Sequence, residues 1–381
     1  MPNKPNVKKE KQAKKTAKSR PVLWLLVAVL VVAAIALTIV LGVSSAQRVL
    51  SFRGIRVDRD LYAYWQARYR YEYLQVNAPA GAYDTEGFWN SVMDETTGMT
   101  YGEDCEAQTQ TRVLRIVTAA YLFDTSGLTL TDPQRQTIAD GLNDLLTYRF
   151  DGDEKKFDEA AKPYGFSFSD VKKAYLYEYK AVNLPGHITL SDEQISSYYT
   201  THYTRVQWLY LPASTPAETI THLRGQLASA AGANDRLTLF SSLLTDPEYN
   251  QNPAYSAYSD GYYFSTDSIY LDSFRDAFTE TYPSTDGKKI YEAAFSLENP
   301  GDYTEVSTDD GLWVVMRYPL NYASIANDTY LESMFADLNE LALADYLVSW
   351  LDSFAPEAKW KTGHAKTWVP HGQNSDLYLF F

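Results

Sequence analysis

Residues 188–211 read ITLSDEQISSYYTTHYTRVQWLYL, and the change of period inside this stretch decides the fold. Ser191 stands as a helix N-cap, with Gln194 three residues on at capping-box spacing. Ile195 and Tyr199 then share one face of a short helix. After Thr204 the period drops to two: Val206, Trp208 and Tyr210 point one way, Gln207, Leu209 and Leu211 the other. The stretch is therefore a junction between a helical part and a strand-bearing part. The fold class this implies is α+β.

Upstream of the junction the chain reads as helices. Asp58 can cap a helix to about residue 75, and residues 77–100, rich in Gly, Pro and Asp, read as a loop or a broken helix. Residues 104–124 give a second helix with Val113, Ile116, Val117, Ala120 and Leu122 on one face, ended by Gly127. Thr131-Asp132-Pro133 opens a third, to about residue 150, with proline in the first turn. Residues 157–164 and 169–179 give two more, parted by Gly165.

Downstream, residues 206–211 form a strand, and 216–231 and 237–244 form helices. Residues 246–268 are rich in turn formers, and 289–295 form a short helix. Strands over 303–306 and 312–318 are joined by the turn Asp309-Asp310-Gly311. A closing helix is expected over 328–354, with Leu331, Met334, Leu338, Leu341, Ala342 and Tyr346 apolar. That face should pack on the helices before the junction. Beyond Pro356 no regular pattern is expected.

Charge is divided sharply along the chain. Residues 1–20 carry eight basic groups and one acid, a net of +7. The whole chain is −14, which leaves −21 on residues 21–381. So acidic a body is a poor match for nucleic-acid phosphates, so no nucleic-acid partner is expected. Residues 22–43 are uncharged, and as a helix they reach roughly 33 Å, enough for a bilayer core. The basic tail before them implies a cytoplasmic N-terminus with the body outside. Ser44-Ser45-Ala46 resembles a signal-cleavage site, but the apolar run is longer than a usual signal core, which favours an uncleaved single-pass anchor.

Other chemistry has little footing. The lone cysteine, Cys105, can make no internal disulfide, and its acidic neighbours Glu103, Asp104 and Glu106 argue against a reactive thiolate. His187, His202, His222, His364 and His371 show no metal-ligand spacing, so no metal and no cofactor is expected. There is no Gly-x-Ser-x-Gly and no phosphate loop. The 31 tyrosines suit a wet, adaptable peptide-binding surface or equally an ordinary acidic exterior.

Several motifs, taken in order, resemble a known family. Leu128-Thr129-Leu130-Thr131-Asp132, Tyr164-Gly165-Phe166-Ser167 and Ile188-Thr189-Leu190-Ser191-Asp192-Glu193-Gln194-Ile195 with Tyr198-Tyr199 resemble the helical chaperone part of PrsA-type and SurA-type foldases. Asp260-Gly261-Tyr262-Tyr263-Phe264, Glu292-Ala293-Ala294-Phe295-Ser296-Leu297, Pro300-Gly301-Asp302, Glu305-Val306 and Asp310-Gly311-Leu312-Trp313-Val314-Val315 resemble their parvulin domain, a peptidyl-prolyl isomerase. The likeness runs over about residues 58–354.

The charge and hydropathy pattern together with the resemblance imply a plan for the chain. A basic cytoplasmic tail (1–20) and a transmembrane anchor (21–43) precede a helical chaperone domain (47–204). A parvulin-like domain (205–320) follows, then a C-terminal helix and tail (321–381) that packs on the helical domain. Parvulins usually place histidines in the first and last strands; here those places hold Trp208 and Trp313. Asp246 could take the place of a third polar residue. The usual double glycine is reduced to Gly261, and the interval from Phe264 to Glu292 is long enough that residues 272–278 offer a second Phe-x-x-Ala-Phe candidate.

An indole only donates hydrogen bonds, so two tryptophans lack the options of an imidazole pair. They can fill space or contact peptide. Trp208, Tyr262, Phe264, Phe295 and Trp313 are the candidate peptide contacts. The expected function is a membrane-anchored extracytoplasmic folding factor for unfolded or extended exported polypeptides, with a degenerate isomerase site. The alternatives are an active isomerase with a variant site, and a membrane-anchored scaffold with one fixed protein partner.

Overall fold

The computed structural model describes residues 48–78, 83–252, 261–265, 287–372 and 376–381. The basic tail, the apolar run, the Ser44-Ser45-Ala46 site, Asp260 and residues 272–278 lie outside them. Among the described residues no helix is long and apolar enough to cross a membrane. The chain divides into two compact units: the described residues up to Ile188 together with Leu347–Phe381, and Thr189–Tyr346.

The first unit opens, among the described residues, with a hairpin. Strands β1 (Arg48–Phe52) and β2 (Ile55–Asp58) pair antiparallel across Arg53 and Gly54, both at positive φ. Strand β9 (Lys359–Trp360), from the stretch expected to be irregular, joins the other edge of β1. Helix α1 (Arg59–Asn77) is capped by Asp58, whose carboxylate accepts the Leu61 N–H at 3.0 Å. The expected loop holds helix α2 (Glu86–Trp89) and a small hairpin, β3 (Val92–Asp94) with β4 (Met99–Thr100).

Three long helices follow, each begun by a Thr or Ser that bonds with an acid or amide three residues on. They are α3 (Tyr101–Thr125) from Thr100 and Glu103, α4 (Asp132–Phe150) from Thr131 and Gln134, and α6 (Phe168–Asn183) from Ser167 and Asp170. The short α5 (Glu154–Ala161) lies between the last two. Trp65, Val113, Val117, Phe157, Phe168 and Val171 form the core of this unit. Phe380 closes it, with its ring 5.2 Å from that of Phe157 and 5.4 Å from that of Phe166.

In the second unit, α7 (Asp192–His202) begins with the Ser191–Gln194 capping box and runs straight into β5 (Tyr203–Pro212), as the change of period implies. Helices α8 (Ala217–Ser229) and α9 (Ala233–Leu244) follow, then β6 (Tyr262–Ser265), helix α10 (Gly287–Ser296), β7 (Tyr303–Ser307) and β8 (Gly311–Tyr318). The strands form one antiparallel sheet in the order β6-β5-β8-β7.

Alternation sends the two faces of this sheet to different cores. Leu209, Leu211, Leu312, Val314 and Met316 pack with Leu223, Leu227, Phe240, Leu243 and Leu244 of α8 and α9. Val206, Trp208, Trp313 and Val315 pack with Ile290, Ala294 and Leu297 of α10 and the turn after it. A Cβ on Gly311 would run into the Leu211 carbonyl, so the β7–β8 turn needs glycine where it meets β5.

The closing helix differs from the expectation. It is three pieces, α11 (Tyr322–Asn327), α12 (Thr329–Met334) and α13 (Leu338–Asp352). Asp328 accepts the Leu331 N–H at 3.2 Å and restarts the helix, and Phe335 breaks it again. The reason lies in packing: the Phe335 ring sits 5.2–5.4 Å from those of Tyr199, Tyr203 and Tyr263. Leu331, Leu338 and Ala342 therefore bury against Ile195, Tyr199 and Tyr203 within the second unit, rather than on the helices before the junction. It is Trp350, Leu351 and Phe354, at the far end of α13 and just beyond it, that pack with Leu122, Phe123 and Leu184 of the first unit.

Candidate peptide-binding site

Of the residues singled out in the sequence, Trp208, Phe295 and Trp313 gather on the α10 face of the sheet in the second unit. Trp208 on β5 lies opposite Val315, and Tyr210 lies opposite Trp313 on β8. The Trp208 and Trp313 rings meet edge to face at 6.2 Å, and Tyr210 lies 4.3 Å from Trp313. Trp208 is 0% exposed and Trp313 is 1% exposed. Both indoles are therefore core: they fill the space between the sheet and Ile290, Ala294 and Leu297.

Phe295 is half-buried and packs against this cluster, with its ring 4.8 Å from that of Tyr291 one turn earlier. Tyr210 is also half-buried, and its hydroxyl donates to the Asp310 carbonyl at 3.1 Å. Burial pushes the Tyr210 phenol above its ordinary range. Tyr210, Tyr291 and Phe295 thus form an aromatic rim over a closed tryptophan floor. Sequence reasoning missed two of the three. The available signals were the period of two from Trp208 to Tyr210 and the helical spacing of four from Tyr291 to Phe295.

Asp246 sits in the turn after α9, whose Phe240, Leu243 and Leu244 pack on the opposite face of the sheet. Its carboxylate accepts the Glu248 N–H at 2.9 Å. Asn250, a little further on, accepts the Tyr210 N–H at 3.2 Å, and the Gln251 N–H donates to the Tyr210 carbonyl at 2.8 Å. Asp246 is thus a turn former that helps return the chain to the edge of β5. Tyr262 and Phe264 pair through their backbones with Val206 and Thr204, and their side chains lie outside the description. Gly261, at φ 110° just before them, would bring a Cβ to 3.1 Å from the Val206 carbonyl, which is why a glycine stands there.

Among the described residues the cluster contains no carboxylate, imidazole or thiol. It can offer apolar and aromatic surface and hydrogen-bond donors, and it holds no group that exchanges protons near neutral pH. Elsewhere, His222 Nδ1 meets the Tyr249 hydroxyl at 2.5 Å, and His202 stacks on Tyr198 at 4.3 Å. Among the described residues no group of His, Cys, Asp and Glu could hold a metal ion.

No protein-family model matches the chain, and no curated protein matches it. Two solved PrsA structures are similar to it. PrsA from Bacillus subtilis is 17% identical, the likeness covering 70% of this chain and 93% of that one at a TM-score of 0.23. The foldase protein PrsA from Streptococcus pneumoniae str. Canada MDR_19A is 12% identical, covering 74% and 94% at a TM-score of 0.20.

Proposed function

We propose that the chain is a membrane-anchored, extracytoplasmic folding factor that holds extended segments of unfolded exported polypeptides without isomerising prolyl bonds. The observation that carries this reading is the pairing of a buried Trp208–Trp313 floor with the half-exposed rim of Tyr210, Tyr291 and Phe295. The barrier to prolyl rotation is the partial double bond of the amide, roughly 18–20 kcal/mol. Lowering it needs groups that favour the twisted amide over the planar one. This cluster has lost the two imidazoles that the family resemblance assigns there. It keeps an aromatic surface of the kind that grips peptide with little loss of side-chain entropy. The acidic body and the basic tail before an apolar run support export and anchoring.

The purified soluble body should protect several unrelated unfolded proteins from aggregation, and a Tyr291→Ser/Phe295→Ser double variant should protect less. It should not accelerate cis/trans exchange of a proline peptide. Acceleration that disappears on removing Trp208 or Asp246 would replace this reading with an active isomerase. Protection confined to one protein would replace it with a scaffold. Protease added outside intact cells should digest residues beyond about 44 and spare the basic tail. A mature N-terminus at Gln47 would instead mean a cleaved signal.

A further inference from the structure

A cavity of about 640 Å³ in the first unit carries an inference that does not depend on the reading of the second. Arg70 of α1 lines it and is only 7% exposed. Its guanidinium lies 4.6 Å from the ring centre of Trp89 and 5.1 Å from that of Trp368. One carboxylate oxygen fixes both indoles: Trp89 Nε1 and Trp368 Nε1 donate to Asp84 Oδ1 at 2.6 and 3.0 Å. The other oxygen of Asp84 accepts the His371 N–H at 2.8 Å. Glu106 is likewise committed, accepting from the Tyr62 hydroxyl at 2.6 Å and the Gln66 amide at 3.0 Å.

The carboxylates whose field reaches Arg70 are thus turned to other donors, and Arg70 Nε has no protein acceptor. Burial holds the guanidinium below the ordinary arginine range, yet it remains a cation at neutral pH. A buried charged donor without an acceptor is destabilising and calls for a specific explanation. Nε itself is sealed from solvent, but the Arg70 side chain, which among the described residues makes no ion pair with the carboxylates around it, also borders an open space. The first turn of α3 also lines that space through Gly102 and Glu103, and brings the positive end of a 25-residue helix to it. Glycine is needed there, since a Cβ on Gly102 would come within 2.9 Å of the Trp89 carbonyl.

We propose that this cavity binds a single carboxylate of a peptide, received by the Arg70 guanidinium between Trp89 and Trp368. A carboxylate matches the planar fork of donors in a way that a neutral amide does not. A doubly charged phosphate is disfavoured, because Glu86, Glu103 and Glu106 stand on the walls. Asn90 and the amide oxygen of Gln110 on the same walls can bond to the peptide backbone beside the carboxylate. The carboxylate can come from an acidic side chain or from a chain terminus.

The test follows the indole N–H resonances of Trp89 and Trp368 in the folded protein during peptide titration. The probes are a doubly capped alanine tripeptide with a central aspartate, its asparagine counterpart, and an acetylated dialanine with a free carboxylate. The expected result is that at least one carboxylate probe shifts both resonances, and the asparagine probe binds at least about tenfold more weakly. Which carboxylate probe binds more tightly identifies the source. Arg70→Met should abolish the shifts. Glu86→Gln, at an exposed rim position, should strengthen binding by removing a like charge. Should Arg70→Met fail to fold, the probes and Glu86→Gln still decide. No shift with any probe, equal binding of the asparagine probe, or unchanged or weaker binding by Glu86→Gln would each overturn the proposal.

Discussion

Replacing Trp208 by alanine separates a core residue from a peptide contact. Trp208 is 0% exposed, wedged between β5 and α10 and edge to face with Trp313. A buried aromatic side chain removes roughly 150–250 Å² from water. At about 25 cal/mol per Å² that is roughly 4–6 kcal/mol of transfer free energy. Measured truncations of buried Trp and Phe to Ala cost about 3–5 kcal/mol. Against a total stability of roughly 5–15 kcal/mol, this is a large share for one side chain. For a unit of this size each kcal/mol moves Tm by roughly 2–4 °C, so the second unit should melt about 6–20 °C lower. The assay is thermal and urea unfolding of the soluble body followed by near-ultraviolet circular dichroism, run beside a proline-peptide exchange assay. Peptide exchange should stay at the uncatalysed rate in both proteins. A cost below about 1 kcal/mol, in the range of surface substitutions, would refute the closed-floor argument and return Trp208 to an open groove.

Three further outcomes follow from the geometry. Burial pushes the Cys105 thiol up to about 12, so at pH 8 the folded protein should resist alkylation and react only when unfolded; rapid labelling of native protein would contradict this. The Asp352 carboxyl is held down by its hydrogen bonds to Arg115, and that of Glu357 by those to Arg53. Their contribution is therefore present above the ordinary carboxylate range and lost as pH falls through the lower folded values. Asp352→Asn should flatten the acid limb of the stability of the first unit in urea, and an unchanged limb would sink the assignment. Phe380→Ala should destabilise the first unit by about 3–5 kcal/mol while the second keeps its midpoint; equal loss in both would show that the core assignment is wrong.

What could be read from the sequence, and what could not, follows the range of the interactions. The alternation of Val206, Trp208 and Tyr210 against Leu209 and Leu211 is a local signal, because each face of β5 packs on a different helix layer. The capping box at Ser191 is equally local, and it begins a helix. Strand β9 was not legible, since two residues have no period and Trp360 finds its partner Leu50 far back along the chain. The closing helix misled for a related reason. Its apolar spacing allowed one continuous helix, but Phe335 is drawn to Tyr199, Tyr203 and Tyr263, and that pull breaks the run. At the site, Trp208, Phe295 and Trp313, expected as peptide contacts, share one apolar cluster, because strand alternation and the α10 spacing bring them to the same face. Asp246 sits in the turn after α9, whose Leu243 and Leu244 pack on the other face of the sheet, a placement that no local pattern announces. The Arg70 cavity depends on Trp89, Trp368 and Asp84 meeting, which no local pattern announces.

The second unit is one unbroken stretch of chain, Thr189–Tyr346, set into the sequence of the first. A polypeptide emerging N-terminus first therefore presents the helices of the first unit long before β9, Leu377 and Phe380 exist to complete their core. Through that interval Phe150, Phe157, Tyr164 and Phe166 lack the ring that will cover them. Closing so long a loop costs only slightly more than closing a short one, because the penalty grows with the logarithm of length. Time is the larger burden, since contacts distant in sequence form late. The newborn chain must thus wait, half-assembled and aromatic, for Leu377 and Phe380.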